Sequence, residues 1–385
     1  MRIALLRIGR VGAHTSGYSV NDEVSDFGRA LAAKGHEVHL FEALPARGSR
    51  YQRTDGVHYH TVSIRGRNGA AQDMLEHGLL YYLRCTQNVA GLFDVLHCFD
   101  SSLLPVAGQM LSSGSARSFL SISSDRGASP ATFLMARRRG WHLEEVVDAI
   151  IVSSRPLKNR LLSRLGLREG KLVVLGHGVD MSKYGRWVNQ GQVKMRHHMG
   201  PLDPVALFVG EICSGSGADV LIETTFALVR QFNTFKVVFA GDGPMQPYLR
   251  ERARVLGVEG SVRFFSFLPE DQLIDLYNAC DLVFVPEGDK YASKTILEAW
   301  SAGKPTIIPR KGQPDFVEAG IDALVTKVDP RSLTEAIGSI LADPVRARTM
   351  GDLAWRKVKA EFSWSAIADK TIDVYSNTQS RRTLS

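Results

Sequence analysis

The chain has 385 residues, 44% of them apolar, which is longer than one compact domain usually runs and supplies material for two hydrophobic cores. A formal charge of +7 favours an anionic partner without choosing among a phosphorylated ligand, a nucleic acid and an acidic membrane surface. Cys85, Cys98, Cys213 and Cys280 lie far apart with no CxxC or Cys/His spacing, and no apolar run approaches the roughly 18 residues of a membrane span. They read as reduced thiols of a cytoplasmic protein, with no metal site and no cofactor.

RIALLRI is a short apolar run that meets the glycine-punctuated loop RVGAHTSGYS. A helical pattern follows over about 21–34, then the strand HEVHLF, so the chain opens on a βαβ unit. The rhythm continues through VHYHTVS, a helix around 74–88, DVLHCF, SFLSIS and AIIVSS. A second series starts after KLVVLGHGVD: VALFVG, helix 218–231, FKVVFAG, helix 247–256, VRFFSFL, helix 271–279, LVFVP, helix 293–300, PTIIP and ALVTK. Strands alternating with helices predict two doubly wound parallel sheets, with ligands at the carboxyl ends of the strands in a cleft that both sheets face. The segment from Ala342 onward reads as helical throughout. The predicted division is 1–180, 181–360 and a last segment 361–385 crossing back to the first domain.

A glycine loop feeding a helix leaves amide N–H groups for a phosphate or a sugar hydroxyl. GAHTSGYS fits, with Gly17 as its contact, although without GxGxxG an ordinary βα turn competes closely. AGDGP, with Gly241 and Gly243, turns sharply after a strong strand; Asp242 reads as a turn residue. His177 in VLGHGVD is either a ligand contact or a histidine satisfied by its neighbours. In EGDKYASKTILEAWSAGKP, a helix starting near Ser293 would aim the first-turn amides of Ser293, Lys294 and Thr295 at an anion. One turn later Glu298 is placed to accept two hydrogen bonds from a ribose diol, an exposed helix glutamate being the bland alternative. Lys311, Gly312 and Gln313 in KGQPD follow the next strand and suit a sugar ring. The basic cluster RRRGWH is by default a solvated face, with contact to an anionic membrane as the second option.

KGHEV, DVLHCFD, GHGVD, FVGE, AGDGP, LYNACDLVFVP, LEAWSAGKP and the closing FSW, in this order, resemble the retaining glycosyltransferases of the GT-B fold, most closely family 4. The resemblance implies two facing Rossmann-like domains: an acceptor-binding N-terminal one and a nucleotide-sugar-binding C-terminal one. It implies a nucleotide-sugar donor and a carbohydrate, lipid or small-molecule acceptor; no nucleic-acid partner is expected, since no basic stripe with interleaved aromatics appears, and RRRGWH keeps peripheral membrane contact as an option. In that family a glutamate that contacts the donor sugar precedes, by eight positions, one that contacts the ribose. Glu298 matches the second, and Lys290 stands at the first, with Asp289 and Glu287 nearby. The family's diphosphate-binding arginine and lysine fall on Glu211 and Ser216, and its N-terminal-domain histidine falls on Ser123. The resemblance therefore makes Lys290 and Ser123 the catalytic candidates. The family's quartet sums to zero charge; Glu211, Ser216, Lys290 and Glu298 sum to minus one, and Lys294 restores zero. A non-catalytic protein binding a nucleotide, glycan or protein partner is the alternative expectation.

Overall fold

The computed structural model describes residues 1–8, 22–44, 49–63, 71–111, 116–123, 143–185, 187–288 and 292–378. The chain forms two compact units. Over the described residues the first runs from Met1 to Gly178 and resumes at Trp364, and the second holds Val179–Ser363.

Among the described residues the first unit has eight strands: β1 Arg2–Ile8, β2 Glu37–Leu44, β3 Arg50–Thr54, β4 Val57–Ser63, β5 Val95–Cys98, β6 Arg117–Ile122, β7 Ala149–Val152 and β8 Leu172–Val174. Their order is β3-β4-β2-β1-β5-β6-β7-β8. Every pairing is parallel except β3 with β4. Residues two apart on a strand share a face, and β1 shows it. Ala4 and Leu6 join a core with Phe41, Leu80 and Leu104, while Ile3 and Leu5 join Phe27, Leu31, Phe119 and Tyr375. The second face is covered by helices Asp22–Ala33 and Trp364–Asn377, so the chain's last helix completes this unit's core.

The second unit has β9 Val205–Val209, β10 Lys236–Ala240, β11 Val262–Phe265, β12 Leu282–Phe284, β13 Thr306–Pro309 and β14 Leu324–Thr326, all parallel, in the order β11-β10-β9-β12-β13-β14. All five residues of β9 are buried. Ala206 and Phe208 enter one core and Val205, Leu207 and Val209 the other, as a sheet covered on both faces requires.

Several elements differ from the sequence expectation, and three of them show why. RYQRT is a strand although all five residues are exposed, so no apolar period marks it. It is fixed instead by the Asp55-Gly56 turn, both residues at positive φ, which folds it antiparallel onto β4. Arg155–Leu165 is a helix: the Ser154 hydroxyl accepts from Leu157 N–H, Pro156 sits in the first turn and Gly166 closes the end in the left-handed region. The carboxyl-terminal segment is not one helix. It breaks at Asp343, which caps Pro344–Glu361, and again at Phe362 and Ser363 before Trp364–Asn377. At the second break Phe362 C=O accepts from Val179 N–H at 2.9 Å. On the first unit's side a Cβ on Gly178 would lie 2.2 Å from the Trp364 ring. The GHGVD and FSW stretches are thus two chain crossings that pack on each other.

Candidate functional site

In the second unit the strand order reverses between β9 and β12, and the loops after these strands meet. Ser216 C=O accepts from Glu287 N–H at 3.0 Å, joining them. The AGDGP loop lies against the β9 loop: Gly210 N–H donates to Ala240 C=O and Ile212 N–H to Asp242 C=O. A Cβ on Gly241 would sit 1.9 Å from Gly210 O, and one on Gly243 2.2 Å from Ile212 O, so both positions need glycine for close backbone approach. Lys311, almost fully exposed, reaches back to Glu287 at 3.2 Å from the loop after β13. Helix Ala292–Ser301 starts beyond β12, and its first turn has N–H groups without intrahelical partners. Thr295 in that turn is fully buried, and its Oγ1 has no hydrogen-bond partner among the described residues.

The structure places the predicted donor residues unequally. Glu211 is exposed at the end of β9. Ser216 is only 1% exposed, and its hydroxyl accepts from Ala218 N–H just before the helix that Gly217 caps, so it is sealed inside the unit. Ser293 and Lys294 are half-buried. Gly312 is exposed at φ 84°, and the Gln313 amide donates to Val317 C=O within its own turn. Glu298 is 2% exposed, and its two carboxylate oxygens accept from the hydroxyls of Tyr184 and Tyr277, each at 2.8 Å. It is not the exposed glutamate of the bland reading, and each of its oxygens already accepts one hydrogen bond from the protein. Gly17, Asp289, Lys290 and the RRRGWH cluster lie outside the described residues.

The first unit holds a cavity of about 160 Å³ at the carboxyl ends of β5, β6 and β7. Its wall is aromatic and aliphatic, from Phe27, Phe99, Trp364 and Ile367, interrupted by Glu23, Ser121, Ser123 and His177. The Phe27 ring lies 6.0 Å from Phe99 and 6.1 Å from Trp364. Beneath the cavity His97 is fully buried, with Nδ1 2.5 Å from the Tyr375 hydroxyl and Nε2 2.7 Å from Ser121 Oγ. Burial pulls the His97 pKa down to about 3 and pushes Tyr375 well above the usual phenol range, so both are neutral at pH 7. Ser123 is exposed at the cavity edge, where its C=O accepts from the Ser153 hydroxyl. Sequence reasoning missed His97, Ser121 and Tyr375 as a group. The alternation in DVLHCF puts His97 in phase with Val95 and Phe99, which signals a buried histidine; nothing in the sequence signals a partner 278 positions away.

Among the described residues no group of histidine, cysteine, aspartate and glutamate side chains forms a metal site, and no helix is long and apolar enough to cross a membrane. Cys98 and Cys280 are buried, which pushes both thiols up to about 12.

The family description Glycosyltransferase Family 4 matches residues 24–183, and Glycosyl transferases group 1 matches residues 203–343. The chain belongs to the group 1, family 4 glycosyltransferases. Two curated glycosyltransferases are similar to it. One, a D-inositol 3-phosphate glycosyltransferase of Kineococcus radiotolerans, is 29% identical over 252 residues, covering 60% of this chain and 57% of its own. The other, an uncharacterized glycosyltransferase of Methanocaldococcus jannaschii, is 27% identical over 233 residues, covering 59% of each. The chain thus spans less than two thirds of these relatives. Among solved structures, a glycosyltransferase from Rickettsia africae superposes with a TM-score of 0.75 at 14% identity over 98% of both chains. Anabaena HepE in complex with UDP and glucose gives 0.69 at 18% identity over 98% of this chain and 100% of its own. The glycosyltransferase fold is therefore GT-B, with two parallel-sheet α/β units.

Proposed function

We propose that this protein transfers a sugar from a nucleoside-diphosphate donor to a hydroxyl-bearing acceptor, with retention of anomeric configuration. The observation that carries the reading is the backbone-lined meeting of the β9, β10 and β12 loops at the reversal of strand order. Glycines that admit no Cβ leave backbone as the lining there, and backbone N–H groups with a helix N-terminus suit a diphosphate. HepE, described with UDP and glucose, and the D-inositol 3-phosphate glycosyltransferases support a nucleotide-sugar donor.

The acceptor is assigned to the cavity of the first unit. Apolar faces of a sugar or polyol ring pack on aromatic walls, while hydroxyl edges need a few placed polar groups, and Phe27, Phe99 and Trp364 with Glu23 and Ser121 supply both. In the transfer the bond from the donor's anomeric carbon to the diphosphate oxygen breaks. The acceptor oxygen bonds to that carbon on the same face, its proton passes to the leaving phosphate oxygen, and the nucleoside diphosphate departs. No side-chain base is needed for this balance. Stabilisation of the leaving group comes from the helix N-terminus and Lys294 in its first turn.

Thermal unfolding in the presence of nucleoside diphosphates and their sugar conjugates tests the donor half, followed by release of the diphosphate over a panel of sugars and polyols. Stabilisation and acceptor-dependent release are expected. Stabilisation by nothing at millimolar concentration removes the donor site, and binding without release leaves a non-catalytic nucleotide-binding protein.

A further inference from the structure

We infer that Ser121 is a fixed hydrogen-bond donor to an oxygen of a sugar or polyol in the first unit's cavity, its proton aimed there by the buried Tyr375–His97 pair beneath it. The inference rests on the acceptor assignment just made and names the residue that reads the acceptor.

The direction of the chain follows from counting protons. Tyr375 is buried, and among the described residues its hydroxyl meets no acceptor other than His97 Nδ1. A phenol proton left without an acceptor in a dry interior costs about 1–3 kcal/mol, so the hydroxyl donates to Nδ1. A neutral imidazole carries one proton. With the Nδ1 lone pair taken, that proton sits on Nε2, and Nε2–H donates to Ser121 Oγ at 2.7 Å. One of the serine oxygen's two lone pairs is thus taken, and its own proton has no protein acceptor among the described residues. It turns into the cavity that Ser121 lines.

The opposite polarity, with Nδ1–H donating to the phenol oxygen and Ser121 donating to Nε2, strands the Tyr375 proton inside the core. Burial also holds His97 neutral down to about pH 3, so the polarity does not invert within the working range. Ser121 therefore offers its proton to the cavity, with one lone pair remaining beside it. A ligand hydroxyl that accepts from it must direct its own proton elsewhere, which suits an oxygen about to lose that proton. His97 and Tyr375 act through Ser121 and are positioning residues.

The polarity is measurable without a substrate. Full-length protein labelled with ¹⁵N-histidine, observed by long-range ¹H–¹⁵N correlation at pH 7, is expected to show His97 as the Nε2–H tautomer. An Nδ1–H pattern overturns the inference. Tyr375→Phe, which removes the phenol donor and little volume, is expected to release this preference and give mixed tautomers; an unchanged Nε2–H spectrum also overturns it.

The ligand contact is tested by titrating glucose, myo-inositol and glucose 6-phosphate while following the His97 Nε2 resonance. At least one probe is expected to shift it. Ser121→Ala is expected to weaken that probe roughly three- to tenfold, the loss of one neutral hydrogen bond, whereas Ser121→Thr, which keeps the hydroxyl, retains it. Probes that never move His97, or that bind Ser121→Ala as well as the parent, overturn the contact. With UDP-glucose as donor, Tyr375→Phe is expected to raise the acceptor KM and leave the donor KM unchanged; a change in donor KM alone counts against it. Absence of UDP release from the parent protein sinks the transferase reading only, because tautomer and titration decide this inference by themselves.

Discussion

The two units hold their candidate sites by opposite means. In the first unit side chains do it: aromatic rings wall the cavity, and a buried tyrosine, histidine and serine set one hydrogen bond beneath it. In the second unit backbone does it: Gly241 and Gly243 press against Gly210 and Ile212, and the loops are tied by main-chain hydrogen bonds. A side-chain site is damaged by removing atoms, whereas a backbone site is damaged by adding them. A rigid, amide-lined site suits a diphosphate, whose shape changes little between donors; a walled cavity suits acceptors that differ in shape.

Glu298 is the residue that can break this division, since it is a buried side chain in the backbone-built unit. Removing it as Glu298→Ala opens a cavity and takes away the carboxylate to which the Tyr184 and Tyr277 hydroxyls donate. Destabilisation by about 4 kcal/mol is expected in chemical denaturation, more than for any other substitution proposed in either unit. A variant that keeps its denaturation midpoint yet loses nucleotide binding would restore Glu298 as a ribose ligand and remove its structural role.

Gly241→Ala sharpens the contrast in the other direction. A Cβ 1.9 Å from a backbone oxygen forces both loops apart, because neither neighbour is a flexible side chain. A stability loss of about 3 kcal/mol is expected, together with at least tenfold weaker nucleoside-diphosphate binding by calorimetry. Retained nucleotide affinity would show that the two glycine loops do not line the donor site.

How much of this the sequence carries depends on the kind of contact. Apolar runs such as VALFVG and FKVVFAG identify buried parallel strands, and the glycines of AGDGP mark a sharp turn whose reason, Gly210 and Ile212 on the adjacent loop, is tertiary. Family spacing brings Glu298 to notice but not Tyr184 and Tyr277, which arrive from two other helices. The resemblance sets Ser216 at the family's lysine position, while the structure buries it beside the Gly217 helix cap, because nothing in one sequence says whether a small polar residue faces ligand or core. The cavity relay is the least legible: Ser121, His97 and Tyr375 come from β6, β5 and the last helix.

The side-chain-built unit is also expected to be the pH-sensitive one. His97 titrates at about 3 when folded and near 6.5 when unfolded, so between those values the unfolded chain binds more protons. Its stabilising contribution is complete above about pH 6.5 and falls with pH by about 1.4 kcal/mol per unit, or about 2 kcal/mol by pH 5. His60 adds in the same direction, its pKa lowered to about 4 by burial, then by His39 and His58 beside it. Urea denaturation at pH 5 and pH 7 measures the slope. His97→Gln is expected to flatten it, and an unaltered slope would mean that His97 is hydrated.

Lys311 sets the lower limit of the series, because rim charges in a backbone-built unit are expected to matter little to its stability. Lys311 is 89% exposed and meets Glu287 at 3.2 Å, a surface pair that salt screens. Lys311→Ala is expected to move stability by less than about 0.5 kcal/mol. Its effect belongs instead to association: if the loop after β13 borders the donor, the variant slows capture of a nucleotide sugar and reduces the salt dependence of that rate. A loss of stability well above the expected limit would show that the Lys311–Glu287 pair helps hold the loop after β13 to the loop after β12. Side chains would then share the construction that backbone carries in the β9 and β10 loops.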